Sequence, residues 1–194
     1  MTYSSAVFDN SASSLEAAQR QKYQRVMDAL ELDAGKQVLE IGSGWGGFAE
    51  EAAKKKARVR GITISREQLD YAEKRIAKAG LASNCSFHFE DYRDTSGSYD
   101  AIASIEMIEA VGEAHWPTYF RTLYNRLKPG GIAAIQGITI AESNYESYRS
   151  GVDFIQRYVF PGGMLPSPEI LKTLGERFGV PVIRERIFGQ DYAK

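Results

Sequence analysis

Glu40 stands two residues ahead of a glycine series, Gly42-Ser43-Gly44-Trp45-Gly46-Gly47, in a chain of 194 residues. Four strand-like residues, Val38-Leu39-Glu40-Ile41, run into the glycines, and a helical pattern from Ala49 to Lys54 leaves them. Glycine lets the backbone turn sharply and brings a ligand against bare main chain. The helix that follows aims free N–H groups and its positive dipole end at whatever sits there. The chemistry this supports is the binding of a small molecule that carries an anionic group.

Gly42, Gly44 and Gly47 also satisfy the dinucleotide pattern G-x-G-x-x-G. A dinucleotide site wants an acid at the end of the second strand, about 20 residues on. That strand ends Gly61-Ile62-Thr63-Ile64-Ser65, without one. A carboxylate at Glu40 suits a cofactor with an ammonium group, and S-adenosylmethionine carries both an ammonium and a carboxylate. The alternative is a structural turn beside a solvated Glu40.

The elements that must position these residues follow from pattern and bounds. With domains of about 100–200 residues, one domain is expected. Hydrophobic content of 43% and charged content of 25% suit a globular core. A net charge of −1 gives no sign of a nucleic-acid partner. Cys85 is the one cysteine, so no internal disulfide forms. His88 and His115 are not spaced for a metal. With no signal pattern and no long apolar run, the chain reads as cytoplasmic, without a transmembrane segment.

Ser13-x-x-Glu16 forms a capping box for a first helix, with Tyr23, Val26, Met27 and Leu30 as its apolar stripe and an end near Leu32. Strand and helix then alternate: strands at Val38–Ile41, Arg58–Ile64, Cys85–Phe89, Asp100–Ile105, Ile132–Ile140 and Val182–Phe188, and a helix opened by Ser65-x-x-Gln68 and closed by Gly80. Trp116–Leu127 is a helix ended by Lys128-Pro129-Gly130-Gly131, and Ser167-Pro168 opens another. Such alternation predicts an α/β fold with a doubly wound parallel sheet and a ligand at the carboxyl ends of the strands. Glu40, Thr63, Ser65, Asp91, Tyr92, Glu106 and Glu109 all follow strand ends.

The segments VLEIGSGWGGFA, GITISREQLDYA, EDYRD, YDAIASIEMIEAVG, WPTYF, LKPGG, FIQRYVFPGGMLPS and FGQDY, with YSSAVF at the start, resemble the cyclopropane-fatty-acyl-phospholipid synthase family of S-adenosylmethionine-dependent methyltransferases. That family includes the mycolic acid cyclopropane synthases. The FPGGMLPS stretch and the YS start are the more specific matches; the glycine turn and LKPGG are shared by many methyltransferases. The resemblance implies a Rossmann-like sheet of the class I methyltransferase type, with residues 1–34 as arm and helix and 142–166 as a substrate-side insertion. It also implies methyl transfer to the double bond of an unsaturated phospholipid acyl chain at the membrane surface, closing a cyclopropane ring. A peripheral position at the inner membrane surface goes with that substrate.

By the same resemblance, Glu40, Gly42, Gly44 and Gly46 hold the methionine end of the cofactor, helped by Tyr3 and Ser4. Thr63, Ser65 and Gln68 lie at the ribose, although Gln68 also serves to complete a capping box. Asp91 and Tyr92 fall at the adenine. The family's base is a bound bicarbonate held by a cysteine, a glutamate, a histidine and a tyrosine. Glu109 and Tyr192 match two of these, while Ser43 replaces the cysteine and Gln136 the histidine. Serine and glutamine still donate hydrogen bonds, but Gln136 carries no positive charge. Tyr145, Tyr148, Phe154, Tyr158 and Phe160 are candidates for an acyl pocket. The family's sheet has seven strands and only six are legible here, so the expectation is a C-terminally truncated domain. Methyl branching without ring closure, motivated by Ser43 and Gln136, and an inactive cofactor-binding remnant are the alternatives.

Overall fold

A computed structural model describes residues 1–8, 14–151 and 162–191. In chain order the elements are α1 (Leu15–Ala29), β1 (Gln37–Ile41), α2 (Gly47–Lys54), β2 (Arg58–Thr63), α3 (Arg66–Lys78), β3 (Cys85–Phe89) and β4 (Tyr99–Ile105). There follow α4 (Ile108–Val111), α5 (Trp116–Arg126), β5 (Leu127–Gln136), α6 (Glu142–Ser150) and α7 (Pro168–Arg177). The five strands form one parallel sheet in the order β3-β2-β1-β4-β5. Chain order reverses between β1 and β4, and the crevice at the carboxyl ends of those two strands is where such sheets bind ligands.

β1 is buried on both faces, which is why Val38, Leu39 and Ile41 are all apolar. Alternation sends Val38 toward Tyr23, Met27 and Leu30 of α1 and Phe48 of α2. Leu39 and Ile41 face the other way, toward Ile108, Trp116, Tyr119, Phe120 and Leu123. Glu40 shares the Val38 face, so this carboxylate is directed at the α1 side of the sheet. Its neighbours in register are Gly61 on β2 and Ala103 on β4, two small residues.

Several sequence-based expectations shift. The N-cap of α1 is Ser14, whose hydroxyl accepts from Ala17 N at 3.2 Å. Ser13, the cap expected from the sequence, lies outside the described residues, and Glu16 pairs with Arg20. α1 ends at Ala29 rather than near Leu32. β5 begins at Leu127, with Lys128–Gly131 as a bulge between the pairs Tyr99↔Leu127 and Ala101↔Ile132. It ends at Gln136 instead of Ile140, because the next outward N–H, that of Ile138, is taken by the Glu109 carboxylate. The strand expected at 182–188 is not a strand. A ladder needs a hydrogen-bonding neighbour, none of the described residues provides one, and Ile183 and Ile187 stand 81% and 84% exposed. The helices opened by Ser65 and Ser167 are as expected, each serine accepting from the N–H three residues on.

Candidate active site

The turn after β1 has Gly42, Gly44 and Gly46 at φ of +77°, +50° and +75°, the left-handed region that side chains disfavour. Gly42 N and Ser43 N both donate to Ile62 O, at 3.1 and 2.9 Å, which locks the turn to β2. A Cβ placed on Gly44 would meet only Tyr3 Cε1, at 3.9 Å, so the main chain there borders open space. That space is a cleft lined by Thr2, Tyr3, Ser4, Tyr23, Glu40, Gly42, Ser43, Gly44 and Ile105, among others. The sequence-derived candidates for the methionine end therefore share one cleft, apart from Gly46, which caps α2 beneath it.

Glu40 is 3% exposed, and its Oε2 has no hydrogen-bond partner among the described residues. Burial pushes its carboxyl well above the ordinary range, with Arg75 and Lys22 acting in the opposite direction. The hydroxyl of Ser43 is likewise buried and unpartnered among the described residues. An unpaired buried carboxylate is costly unless a cation or a proton satisfies it. Beside open main chain, it fits a ligand carrying an ammonium group.

The N-terminal arm closes one side of this cleft. Thr2 Oγ1 lies 2.9 Å from Tyr23 OH, and Gln19 Nε2 donates to Ser4 O at 2.7 Å. Lys22 Nζ donates to Ser4 Oγ at 2.6 Å, Ser5 N donates to Glu106 Oε1 at 2.7 Å, and Gln136 Nε2 donates to both Glu106 Oε1 at 2.9 Å and Ser5 O at 3.4 Å. Two residues of this group carry more than the sequence suggested. Lys22 is 1% exposed; its position four residues before Val26 places it on the α1 stripe, the one signal that could have found it. Glu106 sits at φ +49°, an uncommon conformation for a non-glycine residue, directly after β4.

The remaining candidates fall into three further groups. Thr63 Oγ1 donates to Gln68 Oε1 at 2.9 Å and accepts from Ser65 N at 3.2 Å, so Gln68 bonds Thr63 rather than reaching the Ser65 N–H itself. Asp91 is gripped by Arg93, whose Nε and Nη2 donate to its two oxygens at 2.9 and 2.7 Å and hold its carboxyl below the ordinary range. Tyr92 is half-buried against Tyr119, edge to face at 5.7 Å. Glu109, at the start of α4, accepts through Oε1 from Ile138 N, while Oε2 is buried without a partner among the described residues. Burial raises its pKa, opposed by the Ile138 N–H. Tyr192, Phe154, Tyr158 and Phe160 lie outside the described residues. A second, more apolar cavity lies between α5, α6 and α7, lined by Trp116, Tyr145, Ile170 and Leu174 together with Glu113, Glu142, Glu146 and Glu169. No helix among the described residues is long and apolar enough to cross a membrane.

The family model described as mycolic acid cyclopropane synthetase matches residues 1–194. Tuberculostearic acid methyltransferase UfaA1 of Mycobacterium tuberculosis is 40% identical over 202 residues, an alignment covering 100% of this chain and 47% of that protein. Cyclopropane-fatty-acyl-phospholipid synthase of Escherichia coli K12 is 38% identical over 169 residues, covering 86% of this chain and 42% of that protein. The chain thus spans about half the length of the curated relatives it matches. Among solved structures, the cyclopropane synthase MmaA2 of Mycobacterium tuberculosis superposes with a TM-score of 0.90 at 25% identity, over 99% of this chain and 71% of that one. The mycolic acid cyclopropane synthase CmaA1, complexed with SAH and CTAB, does so with a TM-score of 0.87 at 25% identity, over 94% and 68%. With a model match over its whole length and the parallel sheet and glycine turn described above, the chain belongs to the mycolic acid cyclopropane synthetase family.

Proposed function

We propose that this chain binds S-adenosylmethionine and methylates a carbon of the double bond in an unsaturated fatty acyl chain. The observation that carries the reading is the buried Glu40 carboxylate, its Oε2 without a partner among the described residues, set beside the open glycine turn. When bound, the cofactor supplies an electrophilic methyl group on a sulfonium. The residues of the chain then bind, orient and neutralise. Glu40 receives the ammonium, the glycine turn and Ser4 border the rest of the amino-acid end, and Thr63 with Gln68 offers polar atoms for a ribose. Asp91 retains acceptor capacity beyond Arg93, since a carboxylate has about four lone-pair sites, and Tyr92 offers a ring face beside it.

An alkene is a weak nucleophile, so its methylation builds positive charge on the acyl chain. Fixed negative charge and aromatic faces stabilise such charge, most strongly where water is excluded. Glu109, with one oxygen held by Ile138 and the other without a partner among the described residues, is the carboxylate assigned that task in this proposal. Bicarbonate fits these residues less well. Both N–H groups of the Gln136 amide are already directed at Ser5 and Glu106, which leaves neither to hold an added anion. The acyl chain of a phospholipid is the proposed substrate, by similarity to the Escherichia coli synthase; the relative named for tuberculostearic acid favours methyl branching as the second reading.

The test is lipid mass spectrometry after expression in a host rich in unsaturated phospholipids. The proposal expects acyl chains gaining CH2. Among products heavier by CH2, one that resists ozonolysis carries a ring and one that ozone cleaves keeps a double bond beside the added branch; a saturated methyl branch is heavier by CH4. Lipids unchanged in mass, with a chain that binds the cofactor, would overturn the methylation reading.

A further inference from the structure

A lysine buried on the inner face of a helix needs a reason, because desolvating an ammonium is unfavourable unless something uses the charge. Lys22 occupies such a place on α1, at 1% exposure. Its environment is specific. Nζ donates to Ser4 Oγ at 2.6 Å and lies 4.7 Å from the centroid of the Tyr23 ring. Two carboxylates act on it, Glu40 from β1 and Glu106 from the end of β4. Ser4, unlike Lys22, lines the cleft.

The chemistry of the pair has a direction. An ammonium donates and cannot accept, whereas a hydroxyl does both. While Lys22 is charged, Ser4 Oγ must be the acceptor of that bond, and the hydroxyl's own proton is left to donate elsewhere. A hydrogen bond accepted from a charged donor also polarises the hydroxyl and strengthens the bond it gives. The neighbouring space is the cleft that Ser4 and Glu40 both line. We propose that Lys22 is a positioning residue of the cofactor cleft: through Ser4 Oγ it aims a polarised O–H at the carboxylate of the ligand's amino-acid end. With Glu40 for the ammonium, the cleft then selects a zwitterion. This rests on the cofactor reading above.

Lys22 is also placed to titrate in an accessible range. Burial lowers its pKa to about 8, with Glu106 and Glu40 opposing the shift. Below that pH the charged form directs Ser4. Above it the neutral amine can accept, Ser4 can turn its proton back toward Nζ, and the donor is lost from the cleft. The other groups nearby are Glu40, pushed up by burial, Glu106, and Tyr23, whose phenol is pushed up to about 12 and stays neutral. Arg75 on α3 acts on both Glu40 and Tyr23.

The experiment is titration calorimetry of the chain and of Lys22→Met with S-adenosylhomocysteine and with 5′-methylthioadenosine, at pH 6.5 and pH 9.5. The second ligand keeps the nucleoside and thioether but has no amino-acid end. At the lower pH, Lys22→Met should bind S-adenosylhomocysteine about tenfold more weakly than the parent, the loss expected for one charge-assisted hydrogen bond. At the higher pH the two should differ by less than about twofold; the ligand's own amine titrates identically for both proteins, so the ratio isolates Lys22. Affinity for 5′-methylthioadenosine should be the same in both proteins. Ser4→Ala, which leaves α1 intact, should reproduce the loss at pH 6.5, and the double variant should lose no more than either single one. An equal loss for both ligands, or a ratio independent of pH, would overturn the proposal by showing that Lys22 only supports packing. If Lys22→Met fails to fold, Ser4→Ala decides alone, since unchanged affinity for S-adenosylhomocysteine in that variant overturns it too. A parent that binds neither ligand would overturn the cofactor reading itself, and this proposal with it.

Discussion

Glu109 shows at the scale of one residue how a functional role and a stability cost can be read from the same geometry. Its Oε1 accepts from Ile138 N and its Oε2 has no partner among the described residues. Replacing it with glutamine keeps an acceptor for Ile138 and removes the charge. Glu109→Gln should therefore lower turnover at least tenfold, at about 1.4 kcal/mol per factor of ten, while leaving cofactor affinity nearly unchanged. Its effect on stability should have the opposite sign. Burial raises the folded-state pKa above the ordinary 4.5. Below 4.5 the group is protonated whether folded or not, and no difference between the proteins is expected. As pH rises through the raised value, the unfolded chain ionises more readily, and the parent loses stability that the glutamine variant keeps. Thermal melts at pH 4 and pH 7.5 check this: the melting temperatures should coincide at the lower pH, with the variant higher at the upper one. Equal melts at both, with unchanged turnover, would make Glu109 a residue of no special role.

At the scale of the element, the cleft depends on small residues where strands meet the glycine turn. Gly61 on β2 lies beside Glu40 in register, and a Cβ there would stand 2.6 Å from Phe87 Cδ1 and 2.8 Å from Ser43 Cβ. Gly61→Ala should cost about 1–3 kcal/mol, the usual range for overpacking, and should weaken ligand binding by displacing Ser43. Urea unfolding and calorimetry together measure both effects; an unperturbed protein would show that β2 and the turn move apart freely. Much of this element was legible in the sequence, because strand, glycines and helix are contiguous and each signal is local. The strand expected at 182–188 failed for the opposite reason. Its residues have the right character, but a strand exists only with a partner, and pairing is not a local property. β5 ended early because of Glu109, 29 residues upstream of Ile138. Lys22 was hidden behind the ordinary appearance of a polar residue next to an apolar stripe. Glu106 was noticed only as one acid after a strand; its left-handed backbone and its bonds to Ser5 and Gln136 depend on three distant segments meeting.

For the whole molecule, the parallel sheet places its order reversal between β1 and β4, and the residues assigned to the amino-acid end of the cofactor cluster around that reversal. The N-terminal arm crosses it and is tied there from α1, the end of β4 and the end of β5. Two cofactor classes compete for a glycine turn of this kind, and they differ in what Glu40 must do. A dinucleotide brings a pyrophosphate toward the turn, and a buried carboxylate there would repel it. S-adenosylmethionine brings an ammonium, which the carboxylate would pair. The most direct measurement is titration calorimetry of the chain with S-adenosylmethionine and, separately, with NAD, repeated on Gly44→Val. A side chain at Gly44 would fill the open approach and strain a backbone at φ +50°. The expected result is one site for S-adenosylmethionine, no heat with NAD, and loss of binding in Gly44→Val; affinity for NAD with none for S-adenosylmethionine would contradict the account.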